Sequence, residues 1–225
     1  MSVIELSPTP GEGSLPITTD VVLFTVSEQR LRVLLVNGDG GARRLPGGFA
    51  RTDEDLDLAA LRHLRAEAGL SGVYLEQLYT FGRPDRHPAG RVISVAYYAL
   101  VPAATVAIAL DDHRRGPLPE WCRLDTLPPL SLDHGEIVRV AHERLAAKLE
   151  YSTIALQLMP GHFTLSELQR VYEAIVGEPL DKRNFRKRML SLGCLEETGG
   201  QARVGRHRPA KLYRLRAPGR VLFTK

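Results

Sequence analysis

Near residue 150 the pattern of the chain changes, and that change limits the available folds more than any other feature. Before it, short β-branched apolar runs alternate with glycine turns and separate helical stretches; after it, amphipathic helices follow one another and lead into a hairpin pattern. TTDVVLFTV and LRVLLVN, separated by SEQR, read as two strands and a turn. NGDGGARR is a Gly-rich loop that runs into LPGGF. DEDLDLAALRHLRAEAG carries Leu56, Ala59, Ala60, Leu64 and Ala68 at helical spacing, with acids in its first turn and Gly69 at its stop. VYLEQLYTFG and RVISVAYYALVP read as further strands, joined by RPDRHPAG, and PEWCRLDTLPPL as a short Pro-punctuated strand and loop. SLDHGEIVRVAHERLAAKLEY, with Ser131 or Asp133 as N-cap, reads as a long amphipathic helix. Strands on both sides of a helix, closed by another helix, describe a layered α+β domain over residues 17–150. Residues 1–16, acidic and rich in Pro and Gly, read as a flexible lead-in.

Residues 151–225 follow the order of a winged helix-turn-helix: helix, helix, helix, β-hairpin. YSTIALQLM is the first helix, stopped by PGH. FTLSELQRVYEAIVG begins at Thr164 with Glu167 three residues on, a capping box, and places Leu165, Leu168, Val171, Ile175 and Val176 on one face. LDKRNFRKRMLSLG is the third helix, and CLEETGGQARVGRHRPAKLYRLR reads as two strands around a Gly/Arg-rich tip. Charge divides at the same boundary. Residues 1–150 hold 16 Lys and Arg against 20 Asp and Glu, whereas residues 151–225 hold 14 against 6. A basic C-terminal third suits a polyanion, although a solvated helix face has the same composition. The cations fall on the element that would read DNA. Lys182, Arg183, Asn184, Arg186 and Lys187, with Arg188, sit in the first turns of the third helix, where base edges and phosphates are met. Arg203, Arg206, His207, Arg208 and Lys211 sit in the hairpin that would form the wing.

The remaining composition excludes several classes. Hydrophobic residues make up 44% of the 225 and charged residues 25%, ordinary for a globular protein. No apolar run approaches the ~20 residues of a membrane span, so no membrane partner is expected. Cys122 and Cys194 form no CxxC pair and read as two buried thiols in a reducing cytoplasm.

The chemistry centres on LPGGFARTDEDLDLAALRHLRAEAGL. Gly48, Glu54, Arg62, Leu64, Glu67, Gly69 and Leu70 fall at the spacings of the Nudix box, G-x5-E-x7-R-E-U-x-E-E-x-G-U with U a bulky aliphatic, and on these positions the segment resembles that family. The resemblance implies a Nudix α/β/α sandwich. It also implies an ancestry among enzymes that hydrolyse nucleoside-linked diphosphates with Mg²⁺ held by glutamates on this helix. Two positions depart from the pattern, His63 and Ala66, where the family has glutamate. Positions 63, 66 and 67 lie at i, i+3 and i+4 on one helical face, and only Glu67 there remains a carboxylate. Mg²⁺ prefers oxygen ligands and one carboxylate does not assemble a multi-metal site, so no metal and no catalytic residue is expected. Gly48, Glu54, Arg62, Glu67 and Gly69 remain as scaffold. The alternative is that Glu76, Glu120 or another acid from a loop replaces the missing ligands.

TFGRPDRHPAGRVISVAYYALV resembles the corresponding stretch of Nudix proteins that act on ADP-ribose. Phe81, Arg83, Arg86 and Arg91 are the candidate effector-binding residues: arginines for a diphosphate, an aromatic ring for adenine. The plain alternatives are that Arg91 caps a strand and that Phe81 and Tyr79 are core. With FTLSELQRVYEAIVGEPLDKRNFRKRML and RHRPAKLYRL, the whole resembles the Nudix-related transcriptional regulators of NAD metabolism, the NrtR family. That resemblance implies a bacterial cytoplasmic repressor, less often an activator. It would be a homodimer on double-stranded operator DNA at NAD synthesis or salvage genes. It requires no cofactor and responds to ADP-ribose or a related NAD-derived nucleotide. An active ADP-ribose hydrolase with a basic accessory domain is the competing reading, and a module for RNA or a protein partner is a third.

Overall fold

The structure is a computed structural model that describes residues 15–105, 119–202, 209–217 and 221–223. Its first half is one mixed sheet held between two helices. β1 (Ile17–Ser27) and β2 (Arg30–Asn37) form an antiparallel hairpin whose turn residues, Glu28 and Gln29, both take positive φ (51° and 59°). That is the two-residue hairpin turn that matches strand twist, made here without glycine. β3 (Arg43–Arg44) pairs with β2, and β4 (Gly47–Phe49) pairs with the start of β1. β5 (Tyr74–Phe81) and β6 (Ile93–Leu100) are antiparallel, and β6 runs parallel to β1 over its whole length. β7 (Glu120–Arg123) closes on the far side of β2.

β1 is buried on both faces, which is why TTDVVLFTV is a continuous apolar run and not an alternating one. Val21 and Leu23 face α1 (Leu56–Ala68), packing with its Ala60, Leu64 and Ala68. Val22 and Phe24 face α2 (His134–Tyr151), packing with Ile137, Val138, Ala141 and Leu145. The result is the expected α/β/α sandwich. α1 ends where the sequence placed its stop: Gly69 adopts φ 67° and donates its N–H to the Arg65 carbonyl at 3.1 Å. Asp133 precedes α2 but its side chain makes no cap; the carboxylate is used elsewhere, as described below.

The second half corrects two details of the sequence reading. YSTIALQLM is a 3-10 turn over Ile154–Leu158, not an α-helix. Phe163–Thr164 forms a short strand, β8, which joins the β9 (Leu195–Ala202) and β10 (Ala210–Leu215) hairpin as a third strand. The capping box of α3 (Leu165–Val176) is present, with the Glu167 N–H donating to Thr164 Oγ1 at 3.2 Å and the Thr164 N–H to Glu167 Oε2 at 2.7 Å. Its buried face carries Tyr172, four residues beyond Leu168, whereas Val176 is exposed. α4 (Lys182–Ser191) is capped by Asp181, which accepts the Asn184 N–H at 2.8 Å. Phe185 and Met189 anchor it, the Phe185 ring lying edge-on to Tyr172 at 5.1 Å. The apolar cluster of α2 runs without a break through Ile154–Leu158 into α3 and α4, so the two halves share one core. Among the described residues, no helix is long and apolar enough to cross a membrane.

Candidate functional site

The glycine turn of the box is built by close approach. Gly47 lies over β1, where a Cβ would come within 2.4 Å of the Thr19 carbonyl oxygen and 2.6 Å of Asp20 Oδ1. A Cβ on Gly48 would meet the His63 ring at 2.8 Å. His63 therefore packs under the turn, its Nε2 3.3 Å from the Phe49 carbonyl oxygen. Burial and the neighbouring Arg62 charge push the imidazole below its usual range, so it is neutral at ordinary pH.

Arg62 binds the turn to the helix. Its guanidinium pairs with both Glu54 oxygens and donates to the Phe49 carbonyl at 3.1 Å, while the Glu54 carboxylate also accepts the Arg51 N–H at 2.8 Å. The Arg62 hydrogen bonds hold the Glu54 carboxyl down at about 2. Glu67 is likewise engaged. Arg44 forms a fork on it, Nη2 to Oε1 at 2.7 Å and Nη1 to Oε2 at 3.1 Å, and the Gly47 N–H donates to Oε2 at 3.1 Å. The same Arg44 Nη1 reaches the Leu45 and Gly47 carbonyl oxygens at 3.0 and 3.3 Å.

Glu67, the one carboxylate left on this helical face, is thus taken up by Arg44 and the Gly47 N–H. Among the described residues no three His, Cys, Asp or Glu side chains converge as metal ligands. The two acids that the sequence offered as replacements are engaged in ion pairs on other elements. Glu76 accepts the buried Lys148 ammonium at 2.6 Å on each oxygen, and Glu120 pairs with Arg43 at 2.6 Å.

The four residues read as effector contacts separate into two kinds. Arg83 and Arg91 are exposed in the loop between β5 and β6, with Arg83 only loosely near Asp85 and Glu136 (3.9 and 3.8 Å). Arg86 is turned inward instead. Its side chain is 1% exposed, it donates to Asp133 at 2.9 and 2.8 Å, and it lies 3.7 Å from Asp20. A buried carboxylate pair needs a permanent cation, and that need outweighs an outward role. Phe81 is core, its ring edge-on to the exposed Tyr79 at 5.5 Å.

Asp20, Asp133 and His134 were missed by the sequence reading. His134 Nδ1 accepts the Leu45 N–H at 2.9 Å, which leaves the ring proton on Nε2, facing Asp20 Oδ1 at 3.7 Å. Burial pushes this imidazole down, against the pull of the Asp20 carboxylate. One signal was available: Asp20 is a lone acid inside an apolar strand, and a buried carboxylate requires partners. Asp20 thereby touches both the glycine turn and the Arg86 loop.

At the basic head, Lys182, Arg183, Asn184 and Lys187 are exposed on α4 and Arg186 is half-buried. Arg188, exposed on the same helix, is tied to the fold: its Nη2 donates to the Leu149 and Glu150 carbonyls, at 2.7 and 2.6 Å, at the end of α2. Lys211 is exposed on β10 and pairs with Glu197 at 2.9 Å. Arg203, Arg206, His207 and Arg208 lie outside the described residues.

Known proteins agree with this geometry in both halves. The NUDIX domain model matches residues 15–141, and the model of the NrtR DNA-binding winged helix domain matches residues 155–215. The chain is 36% identical over 207 residues, 88% of its length and 80% of the relative's, to the ADPR-responsive transcriptional repressor NtrR of Acinetobacter baylyi. The chain belongs to the NrtR family. Shewanella oneidensis NrtR in complex with a 27mer DNA superposes with a TM-score of 0.81 at 36% identity, covering 89% of this chain and 93% of that one. The NUDIX domain of the same Shewanella protein, complexed with ADP ribose, superposes with a TM-score of 0.50 at 31% identity, covering 63% of this chain and 94% of that one. The expected architecture, a Nudix domain followed by a winged helix, is thus borne out.

Proposed function

We propose that this protein is a cytoplasmic transcriptional repressor that binds an operator as a homodimer. Its Nudix domain senses ADP-ribose or a related NAD-derived nucleotide without hydrolysing it, and its targets are genes of NAD synthesis or salvage. The observation that carries the reading is α2, a single helix fastened at both ends to functional parts. At its start, Asp133 and His134 hold Arg86 and the Leu45 turn; at its end, the Leu149 and Glu150 carbonyls are capped by Arg188 of α4. A nucleotide that moves the Arg83–Arg91 loop therefore pulls on the element that carries the basic helix. Such a switch works when the nucleotide binds one arrangement of the two domains better than the other. Two copies related by a twofold axis would place two recognition helices on a palindromic site, one DNA turn apart.

In this reading Arg83 and Arg91 meet the diphosphate, the exposed Tyr79 packs near the base with the core residue Phe81 behind it, and Arg86 positions the loop. Lys182, Arg183, Asn184, Arg186 and Lys187 face DNA, joined by Lys211, Arg203, Arg206, His207 and Arg208 from the hairpin. Gly48, Glu54, Arg62, Glu67 and Gly69 keep the cradle in shape, and no cofactor is required. The relatives that repress transcription, bind DNA and bind ADP ribose support the assignment. Operator mobility shift with and without ADP-ribose tests it: ADP-ribose weakens the complex if the reading holds, and an unchanged titration removes the switch.

A further inference from the structure

We propose that the Arg44 guanidinium takes the place of a divalent cation in the Nudix cradle, so that nucleotide binding needs no Mg²⁺. The proposal rests on the effector reading above and concerns how the diphosphate is held.

Arg44 sits among oxygens. The Glu67 carboxylate and the Gly47 and Leu45 carbonyls all accept from its guanidinium, within 2.7–3.3 Å. A carboxylate and two carbonyls are the donors a hard cation would choose, and a positive charge already fills the space between them. Two consequences follow. A divalent ion would have to displace a two-bonded Arg–Glu pair, and the carboxylate it would gain is already neutralised. Among the described residues no group of three His, Cys, Asp or Glu side chains gathers as a metal site, and Asp20, the acid beside the turn, is engaged by Ser94 and Arg86. Meanwhile the guanidinium is not fully used. Its bonds leave from Nη1 and one side of Nη2, and the side chain is 29% exposed, so Nε–H and the second Nη2–H remain for an incoming anion. Guanidinium forks bind carboxylate along one edge and phosphate along another, a bridging task otherwise done by metal. Residues 44 and 67 are far apart in sequence and are brought together by the glycine turn, which is why the motif alone did not show the pair.

Two experiments on the full-length chain test this. Calorimetric titration with ADP-ribose should give the same affinity, within about threefold, in EDTA and in MgCl₂, and Arg44→Ala should weaken it about tenfold or more in EDTA. Loss of wild-type binding in EDTA, or wild-type affinity in Arg44→Ala, overturns the proposal. The second experiment uses Mn²⁺ alone, followed by electron paramagnetic resonance. His63→Glu with Ala66→Glu adds two carboxylates beside Glu67. That pair with Arg44 retained should bind Mn²⁺ at least about tenfold more weakly than the same pair with Arg44→Ala, because the cation and the guanidinium compete for Glu67. Equal Mn²⁺ affinities overturn the proposal whether or not ADP-ribose binds. The Mn²⁺ difference without ADP-ribose binding to any form would support the guanidinium's place and contradict the effector reading instead.

Discussion

The two domains employ the same kind of side chain in opposite ways. In the Nudix domain Arg44, Arg62 and Arg86 turn onto Glu67, Glu54 and Asp133, each paired with an acid of the fold. On α4, Lys182, Arg183, Arg186 and Lys187 make no ion pair among the described residues, and all but Arg186 are exposed. An inward pair fixes geometry and is little affected by salt; an outward cation does nothing for the fold but gains by releasing counterions from phosphate. The contrast means that a similar residue change should damage stability in one domain and DNA affinity in the other.

The largest effect is expected at Arg86. Arg86→Ala leaves Asp133 and Asp20 buried without their cation, and should cost about 3–5 kcal/mol in chemical denaturation. A loss under about 1 kcal/mol would show that the network is solvated and that the contrast fails. Next, Arg183→Ala with Lys187→Ala should leave the denaturation midpoint within about 0.5 kcal/mol of wild type. Operator affinity should fall about 10- to 100-fold, with the salt dependence reduced by about two phosphate contacts. Undiminished salt dependence would remove these residues from the interface.

Arg188 sharpens the comparison because it lies on the basic helix and is exposed, yet spends its guanidinium on backbone carbonyls of the fold. Arg188→Ala should cost about 1–2 kcal/mol of stability, through the lost charged hydrogen bonds, and leave the salt slope unchanged. A reduced slope would class it with the DNA-facing cations. The smallest effect is pH-linked. His63 and His134 are both held below the usual 6.5 by burial, so between pH 7 and 5.5 the unfolded chain takes up protons that the folded one refuses. Stability should therefore fall with pH by up to about 1 kcal/mol per histidine, read from urea midpoints. Glu54, held at about 2, adds a loss only below pH 4.5.

Much of this design was readable from sequence where the signal is local. Helix α1 with its Gly69 stop and the Thr164–Glu167 capping box each follow from spacing within one element. The pairs that join elements were not. Arg44 meets Glu67 across 23 residues, Arg86 meets Asp133 across 47, and Arg188 reaches Leu149 across 39. An arginine in a loop looks the same in sequence whether it faces a ligand or a buried acid, and only the fold decides. Asp133 shows the converse, since its position before α2 suits a cap while its carboxylate answers a stronger demand from Arg86. Tyr172 replaced Val176 on the buried face of α3 because the helix packs along the Leu168 to Tyr172 row and leaves its last residue in solvent.

The most direct test of a sensor that holds its nucleotide intact is a single mixture. Full-length protein on a labelled promoter fragment from NAD synthesis or salvage genes is titrated with ADP-ribose in MgCl₂, and the same samples are chromatographed. The expected result is release of the fragment as ADP-ribose rises, with ADP-ribose recovered unchanged. AMP formed at enzymatic rates, or a fragment that stays bound at every concentration, would contradict it.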